Sequence, residues 1–334
     1  MKKLYLISND KIYCTKRYYT SNNDLNNIIT CLNGDYKIHL ISRKSLKKYD
    51  YLITKKFKLA DIKDVDEDII NVLMISITPF NFLTLMKLIY LGKKLRGFVY
   101  LRSDGFLEYQ IRYGILGYYA YFFMFFVIKK YLKILSCSKN FTHVKLKKIL
   151  HPSELTANWF KKKIDKNSFK TDFLYVGRFK KEKGIIYFID IFKKYLKNYN
   201  LTIVGTKKEF IHKKYYNKNI NFINPITNTK KMINLYDSTK IFILPSYTEG
   251  FPKVISESLA RLKPIIIFEE IKHVLNNRYG IFVCKRDNKN LTKMIDYILR
   301  NYKNIQKKII KNNFYTKDDF KKELLRSIKN EFKN

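Results

Sequence analysis

Over the first 150 residues, short runs of consecutive apolar side chains alternate with longer stretches in which apolar positions recur every three to four residues. The runs at 4–8, 37–42, 72–77, 97–101 and 134–137 have the length and the β-branched or aromatic content of buried strands, while 24–32, 82–94 and 115–131 carry the helical period. After His151 and Pro152 the pattern loosens into a polar, lysine-rich stretch at 161–170, where a linker is expected. It then restarts, with strands expected at 173–176, 201–204, 220–223, 241–244, 264–268 and 281–284 and helices between them. Such alternation predicts an α/β protein with parallel sheets, here two doubly wound Rossmann-like domains in tandem. The expected boundaries are 1–160 and 161–316. A final helix at 317–334 places Phe320, Leu324, Ile328 and Phe332 four residues apart, so it buries one face.

Composition adds two constraints. With 46% hydrophobic and 16% aromatic residues in 334, the chain is too apolar to be disordered. It also carries 67 Lys+Arg against 28 Asp+Glu, a net charge of +39, which suits an anionic partner such as nucleic acid or a membrane surface. Lysine, asparagine, isoleucine, tyrosine and phenylalanine are abundant together while glycine (11) and proline (6) are scarce, a skew that an AT-rich genome produces without any partner. The excess is spread over both halves, with 27 basic and 12 acidic residues in 1–160 and 40 and 16 in 161–334. Cys14, Cys31, Cys137 and Cys284 form no CxxC pair, which argues against a zinc site or disulfide framework and for a reducing, cytoplasmic setting. The apolar run after Lys2 and Lys3 is too short for a signal peptide. Residues 113–128 are 16 uncharged positions rich in Tyr and Phe, short of the roughly 20 a spanning helix needs, so they are expected either in the core or at a bilayer interface beside Lys129 and Lys130.

Ligands of open α/β sheets bind beyond the carboxyl ends of strands, and two turns in the second half stand there with reactive side chains. The first begins Gly177-Arg178 after a strand and ends Lys183-Gly184 before a helix. Gly177 allows a tight exit, Arg178 offers a planar bidentate donor and Lys183 a compact cation, a combination that holds a diphosphate at a helix N-terminus. A solvated basic loop in a lysine-rich chain would look the same. The second turn runs from Pro245-Ser246 through Glu249, Gly250, Phe251 and Pro252 into a helix carrying Glu257. Two carboxylates eight positions apart near one sheet edge can accept hydrogen bonds from sugar and ribose hydroxyls. Taken separately, they equally suit a surface loop and a helix first turn.

Together the two turns, in this order and about seventy residues apart, resemble the GT-B fold glycosyltransferases of family 4. The likeness is strong from 173 to 283 and only architectural over 1–150. It implies two Rossmann-like domains facing an interdomain cleft, with the last helix crossing back onto the first domain. It implies that Arg178 and Lys183 hold the donor diphosphate, that Glu257 binds the ribose, and that Glu249 with the backbone around Gly250 and Phe251 holds the transferred sugar. The resemblance further implies retention of anomeric configuration, a front-face mechanism, no metal and no other cofactor. The donor is then a UDP- or GDP-sugar and the acceptor a saccharide or lipid-linked saccharide. By analogy the setting is bacterial surface polysaccharide or lipopolysaccharide assembly, with the protein cytoplasmic or peripheral on the inner face of the cytoplasmic membrane.

The first domain departs from the family pattern. No glycine occurs between Asn9 and Asn23, where relatives have a Gly-Gly turn, which leaves Lys16 or Arg17 as substitutes. Where relatives carry a cleft histidine, this chain has Arg102 and Asp104, expected either on the acceptor side or in a structural turn with a local ion pair. His39, His143, His151, His212 and His273 are expected to be ordinary surface or core residues. Two rivals remain: a basic nucleic-acid-binding protein, for which no helix-turn-helix, zinc-finger, KH or RRM signature is found, and a GT-B nucleotide-sugar epimerase.

Overall fold

A computed structural model of the protein describes residues 1–20, 23–47, 49, 51–53, 55–138, 141, 148–161 and 169–332. The chain divides into two compact units, Met1–Glu154 with Lys317–Asn334, and Leu155–Thr316. The division falls ahead of residue 161 because Leu155 and Trp159 are buried in the second core, Trp159 edge-on to Tyr236. Most of the linker expected at 161–170, and His143, lie outside the described residues.

In the first unit the described strands form one nine-stranded sheet. They are β1 (Lys2–Cys14), β2 (Tyr18–Thr20), β3 (Tyr36–Ser45), β4 (Tyr51–Ile53), β5 (Lys58–Leu59), β6 (Ile69–Ile75), β7 (Lys94–Leu101), β8 (Lys133–Ser136) and β9 (Lys148–Ile149), with helices α1 (Asn23–Leu32), α2 (Pro79–Tyr90) and α3 (Gly105–Tyr131). β1 lies between β3 and β6 and runs parallel to both, and β7 to β9 extend the parallel part. Beside its parallel strands the sheet carries an antiparallel edge that the periodicity did not signal. β1 does not stop at Ser8; after a bulge between Ser8 and Lys11 it continues to Cys14 and turns back through β2, which pairs antiparallel with β1 and β4. The bulge is tied down by the Ser42 hydroxyl, which donates to the carbonyls of Ser8 and Asp10, and buried Ile12 anchors the extension. Lys16 and Arg17 therefore sit in a hairpin turn rather than in a strand-to-helix loop.

α3 starts at its cap Asp104, and its helical backbone is interrupted at Gly114, whose φ of 69° only glycine adopts without strain. At 27 residues it is long and apolar enough to cross a membrane by length and composition, more than the 16-residue run suggested. One face, with Phe106, Tyr121, Phe125 and Ile128, is buried in the core, each such side chain contributing roughly 1.5–3 kcal/mol. The other face leaves Leu116 78% and Phe123 61% exposed. The helix Lys317–Phe332 belongs to this unit and buries the periodic positions Phe320, Leu324, Ile328 and Phe332, with Phe320 beside Tyr100 and Phe332 beside Tyr36.

The second unit has a six-stranded sheet ordered β12-β11-β10-β13-β14-β15, parallel at every pairing. Its strands are β10 (Thr171–Val176), β11 (Leu201–Val204), β12 (Ile220–Ile223), β13 (Thr239–Leu244), β14 (Ile265–Phe268) and β15 (Ile281–Cys284). The helices are α4 (Ala157–Phe160), α5 (Ile185–Tyr195), α6 (Thr229–Asp237), α7 (Lys253–Ala260), α8 (Asn288–Arg300) and α9 (Tyr302–Ile309). Runs such as Ile265, Ile266, Ile267 and Phe268 are wholly buried, as expected of strands covered on both faces. The strand order reverses between β10 and β13, and the two turns that follow these strands stand at this switch point, where open α/β sheets commonly bind ligands.

Candidate functional site

The turn after β10 is shaped by close backbone approach. Gly205, at φ 121°, packs so tightly on Gly177 that a Cβ there would lie 2.5 Å from the Gly177 carbonyl oxygen. Gly184 has φ 62° and sits where a Cβ would be 1.9 Å from the carbonyl oxygen of Pro245. Only glycine fits, and this contact brings the end of the first turn against the start of the second. The amide of Tyr247 reinforces it by donating to the carbonyl of buried Glu182 at 3.0 Å.

The two turns meet through side chains as well. Lys183 Nζ lies 2.7 Å from Glu249 Oε1, with both side chains mostly buried, and Ser246 Oγ donates to the same oxygen at 2.7 Å. His273 Nε2, which faces the Glu249 carbonyl oxygen at 2.8 Å and so carries the proton, fixes the backbone of that residue. Arg178 is exposed at the end of β10, and its guanidinium has no hydrogen-bond or ion-pair partner among the described residues; buried Tyr175 donates to its carbonyl at 2.9 Å. Burial keeps the Tyr175 phenol well above its ordinary pKa, so it remains a donor.

Gly250 and Phe251 lead into α7, which begins after Pro252 without a side-chain cap, and the Phe251 ring lies 5.6 Å from the Arg278 guanidinium. Burial lowers the Arg278 pKa to about 10, and its hydrogen bonds run to the carbonyls of Val274 and Leu275 and to Ser256 Oγ. On α7, Glu257 Oε2 accepts from the hydroxyl of fully buried Tyr236 at 2.9 Å. Burial, then the neighbouring Glu257, raises the Tyr236 pKa far above 10, so this phenol too is a fixed donor. The arrangement thus offers an exposed guanidinium, an ammonium shared with one carboxylate, and a second carboxylate oriented from behind by a buried phenol.

The first unit places its two candidates differently. Arg102, just beyond β7, donates from Nη1 to Asp24 at 2.9 Å and from Nε to Ser76 Oγ at 3.3 Å. Asp104 is not its ion-pair partner. The Asp104 carboxylate caps α3 by accepting from the amides of Phe106 at 3.0 Å and Leu107 at 3.3 Å. Ser76, at the end of β6, holds φ 64°, a conformation that costs a non-glycine residue about 1–3 kcal/mol and concentrates at binding sites. Ser76 and Asp24 escaped the sequence reading because neither lies in a motif. Ser246, His273 and Tyr236 escaped it because their roles depend on contacts across 3 to 24 positions.

Residues 158–315 match the model of the family described as glycosyl transferases group 1. An uncharacterized glycosyltransferase of Haemophilus influenzae is 27% identical over 282 residues, covering 77% of this chain and 73% of that protein. Among solved structures, Anabaena Alr3699/HepE in complex with UDP and glucose matches with a TM-score of 0.69 at 11% identity, over 98% of this chain and 99% of that one. WaaG, a glycosyltransferase involved in lipopolysaccharide biosynthesis, matches with a TM-score of 0.66 at 13% identity, over 99% and 100%. The chain has the GT-B fold of these structures, and the match to the glycosyl transferases group 1 family lies in its second unit.

Proposed function

We propose that the protein is a retaining, metal-independent glycosyltransferase that moves a sugar from a UDP- or GDP-sugar to a saccharide or lipid-linked saccharide in the assembly of a bacterial surface polysaccharide or lipopolysaccharide. The observation that carries this reading is the meeting of Lys183 and Glu249 at the point where the strand order reverses, beside the unpaired Arg178. Loss of a nucleoside diphosphate is limited by charge growing on the phosphates, so cations already in place act mostly in the transition state. A bound diphosphate competes with Glu249 for Lys183, and the released carboxylate then accepts hydroxyls of the transferred sugar, while Glu257 takes the ribose. The leaving phosphate oxygen assists deprotonation of the acceptor hydroxyl on the same face. The UDP and glucose of the Anabaena structure and the lipopolysaccharide role of WaaG support the choice of donor and setting.

On the acceptor side, Arg102 paired with Asp24 is the hydroxyl-binding candidate, and Asp104 is a helix cap. The exposed apolar face of α3, flanked by Lys129 and Lys130, suits docking on an anionic inner-membrane surface, where each basic residue contributes about 1 kcal/mol. The deciding experiment is a thermal-shift screen of UDP, GDP, ADP and CMP sugars, followed by NMR of the product anomer in the presence of a chelator. Stabilisation by one nucleoside diphosphate and retention of configuration are expected. Affinity for nucleic acid that collapses with salt, with no response to any nucleotide sugar, would mark a nucleic-acid binder instead.

A further inference from the structure

Arg286 follows β15 at the carboxyl edge of the second sheet, and nothing in its local sequence marks it among 67 basic residues. Its guanidinium uses all three kinds of N–H. Nη1 donates to the carbonyl of Pro245 at 2.9 Å, Nη2 to that of Ser246 at 3.3 Å, and Nε to Glu270 Oε1 at 2.6 Å. The same group lies over the rings of Tyr247 at 4.2 Å and Phe268 at 4.3 Å, and Tyr187 donates from its hydroxyl to the Arg286 carbonyl at 2.8 Å. The side chain is only 12% exposed. A surface arginine paired with Glu270 would show none of the carbonyl contacts and little of the stacking.

The two carbonyls belong to the residues that leave β13 and begin the second turn. With their oxygens held from behind, the Ser246 hydroxyl is directed at Glu249 and the Tyr247 amide at Glu182. Pro245 is also the residue on which Gly184 closes, so Arg286 braces the junction of the two turns. A lysine would keep the charge and lose both the fork and the stack.

We propose that Arg286 is a positioning residue for the donor site, clamping the backbone of Pro245 and Ser246 so that Glu249 and Lys183 are held where a diphosphate binds. This rests on the donor-site reading above, and its test includes a measurement that does not. In the full chain, Arg286→Lys is expected to speed amide hydrogen exchange over residues 245–251 at least about tenfold, while exchange elsewhere in the second unit stays within a factor of two. In sugar transfer, kcat is expected to fall by about 10–100-fold with a smaller rise in donor KM, because misplaced groups cost mainly turnover. Tyr187→Phe removes one tether and no charge; it is expected to move both readouts by about threefold, and it decides between the outcomes should the lysine variant not fold. Unchanged exchange with kcat within threefold of wild type overturns the proposal, as does faster exchange spread evenly over the unit. If wild type ignores every nucleotide sugar, the donor-site reading fails and takes the catalytic half with it, while the exchange result still decides whether Arg286 holds the turn.

Discussion

In the second unit the described strands all run parallel, and the turns leaving β10 and β13 end in cations and carboxylates that face one another. In the first unit, β1 continues past its bulge into an antiparallel hairpin. The carboxyl ends of β6 and β7 carry instead a strained serine and the Arg102–Asp24 pair, and α3 leaves an apolar face uncovered. The same layered plan therefore supports a compact charged site in one half and a polar edge beside a greasy helix in the other. In terms of the proposed function, the difference separates two demands: a group with growing negative charge must meet fixed cations, whereas neutral hydroxyls need only a forked donor and an acceptor.

The largest effect should come from the second unit. Arg178→Ala is expected to reduce turnover by about 10²-fold or more with a nucleotide-sugar donor, since an unpaired guanidinium at the strand end is free to serve the leaving group. Activity within a factor of three of wild type would sink its assignment. In the first unit, Asp24→Asn is expected to raise acceptor KM by about tenfold with donor KM unchanged, from the loss of a charge-assisted hydrogen bond. The contrast variant is Asp104→Ala, which should cost about 1 kcal/mol of stability through the lost cap and leave acceptor KM alone. If the two variants exchange effects, the acceptor-side reading of the first unit is wrong.

The exposed face of α3 is tested separately. Leu116→Asp with Phe123→Asp is expected to reduce binding to liposomes containing anionic lipid by about tenfold or more at low salt, because two apolar anchors are replaced by charges of the bilayer's own sign. Transfer to a water-soluble acceptor should hold. Equal co-sedimentation of variant and wild type would remove the membrane from the comparison.

The unequal legibility of the two halves has a physical basis. Wholly buried parallel strands read as short continuous apolar runs, and a strand-to-helix turn between them concentrates its chemistry in consecutive residues. Gly177, Arg178, Lys183, Glu249 and Glu257 therefore stand out in the sequence as candidates. The pairing of Lys183 with Glu249 was not, because it spans 66 positions and depends on which strands become neighbours. In the first unit, residues 11–14 alternate too briefly to signal a continued strand, and the bulge that redirects it is held by Ser42, more than thirty positions away. For Asp104 the sequence leaves an acceptor contact and a structural turn equally open, because a carboxylate after a strand serves either use; the cap it forms on the amides of Phe106 and Leu107 depends on backbone positions the sequence does not show.

A further effect, on stability alone, concerns charge buried for structure in the second unit. Asp237 accepts both prongs of Arg261, whose Nη1 also reaches the carbonyls of Trp159 and Lys161, and Lys263 donates to the Asp237 carbonyl at 3.0 Å with its ammonium over the Phe169 ring. Burial lowers the Lys263 pKa to about 8, against the pull of Asp237. The folded state thus gives up this proton near pH 8 while the unfolded chain keeps it to about 10.5, so the contribution to stability rises with pH across that window and the full cost of burying the charge is present below it. Lys263→Met removes that cost together with one hydrogen bond, and is expected to stabilise the protein by about 1–2 kcal/mol at pH 7 in urea unfolding, with the advantage shrinking toward pH 10. A variant less stable at pH 7, with no pH dependence in the difference, would mean that Lys263 is a net stabilising member of the cluster rather than a tolerated charge.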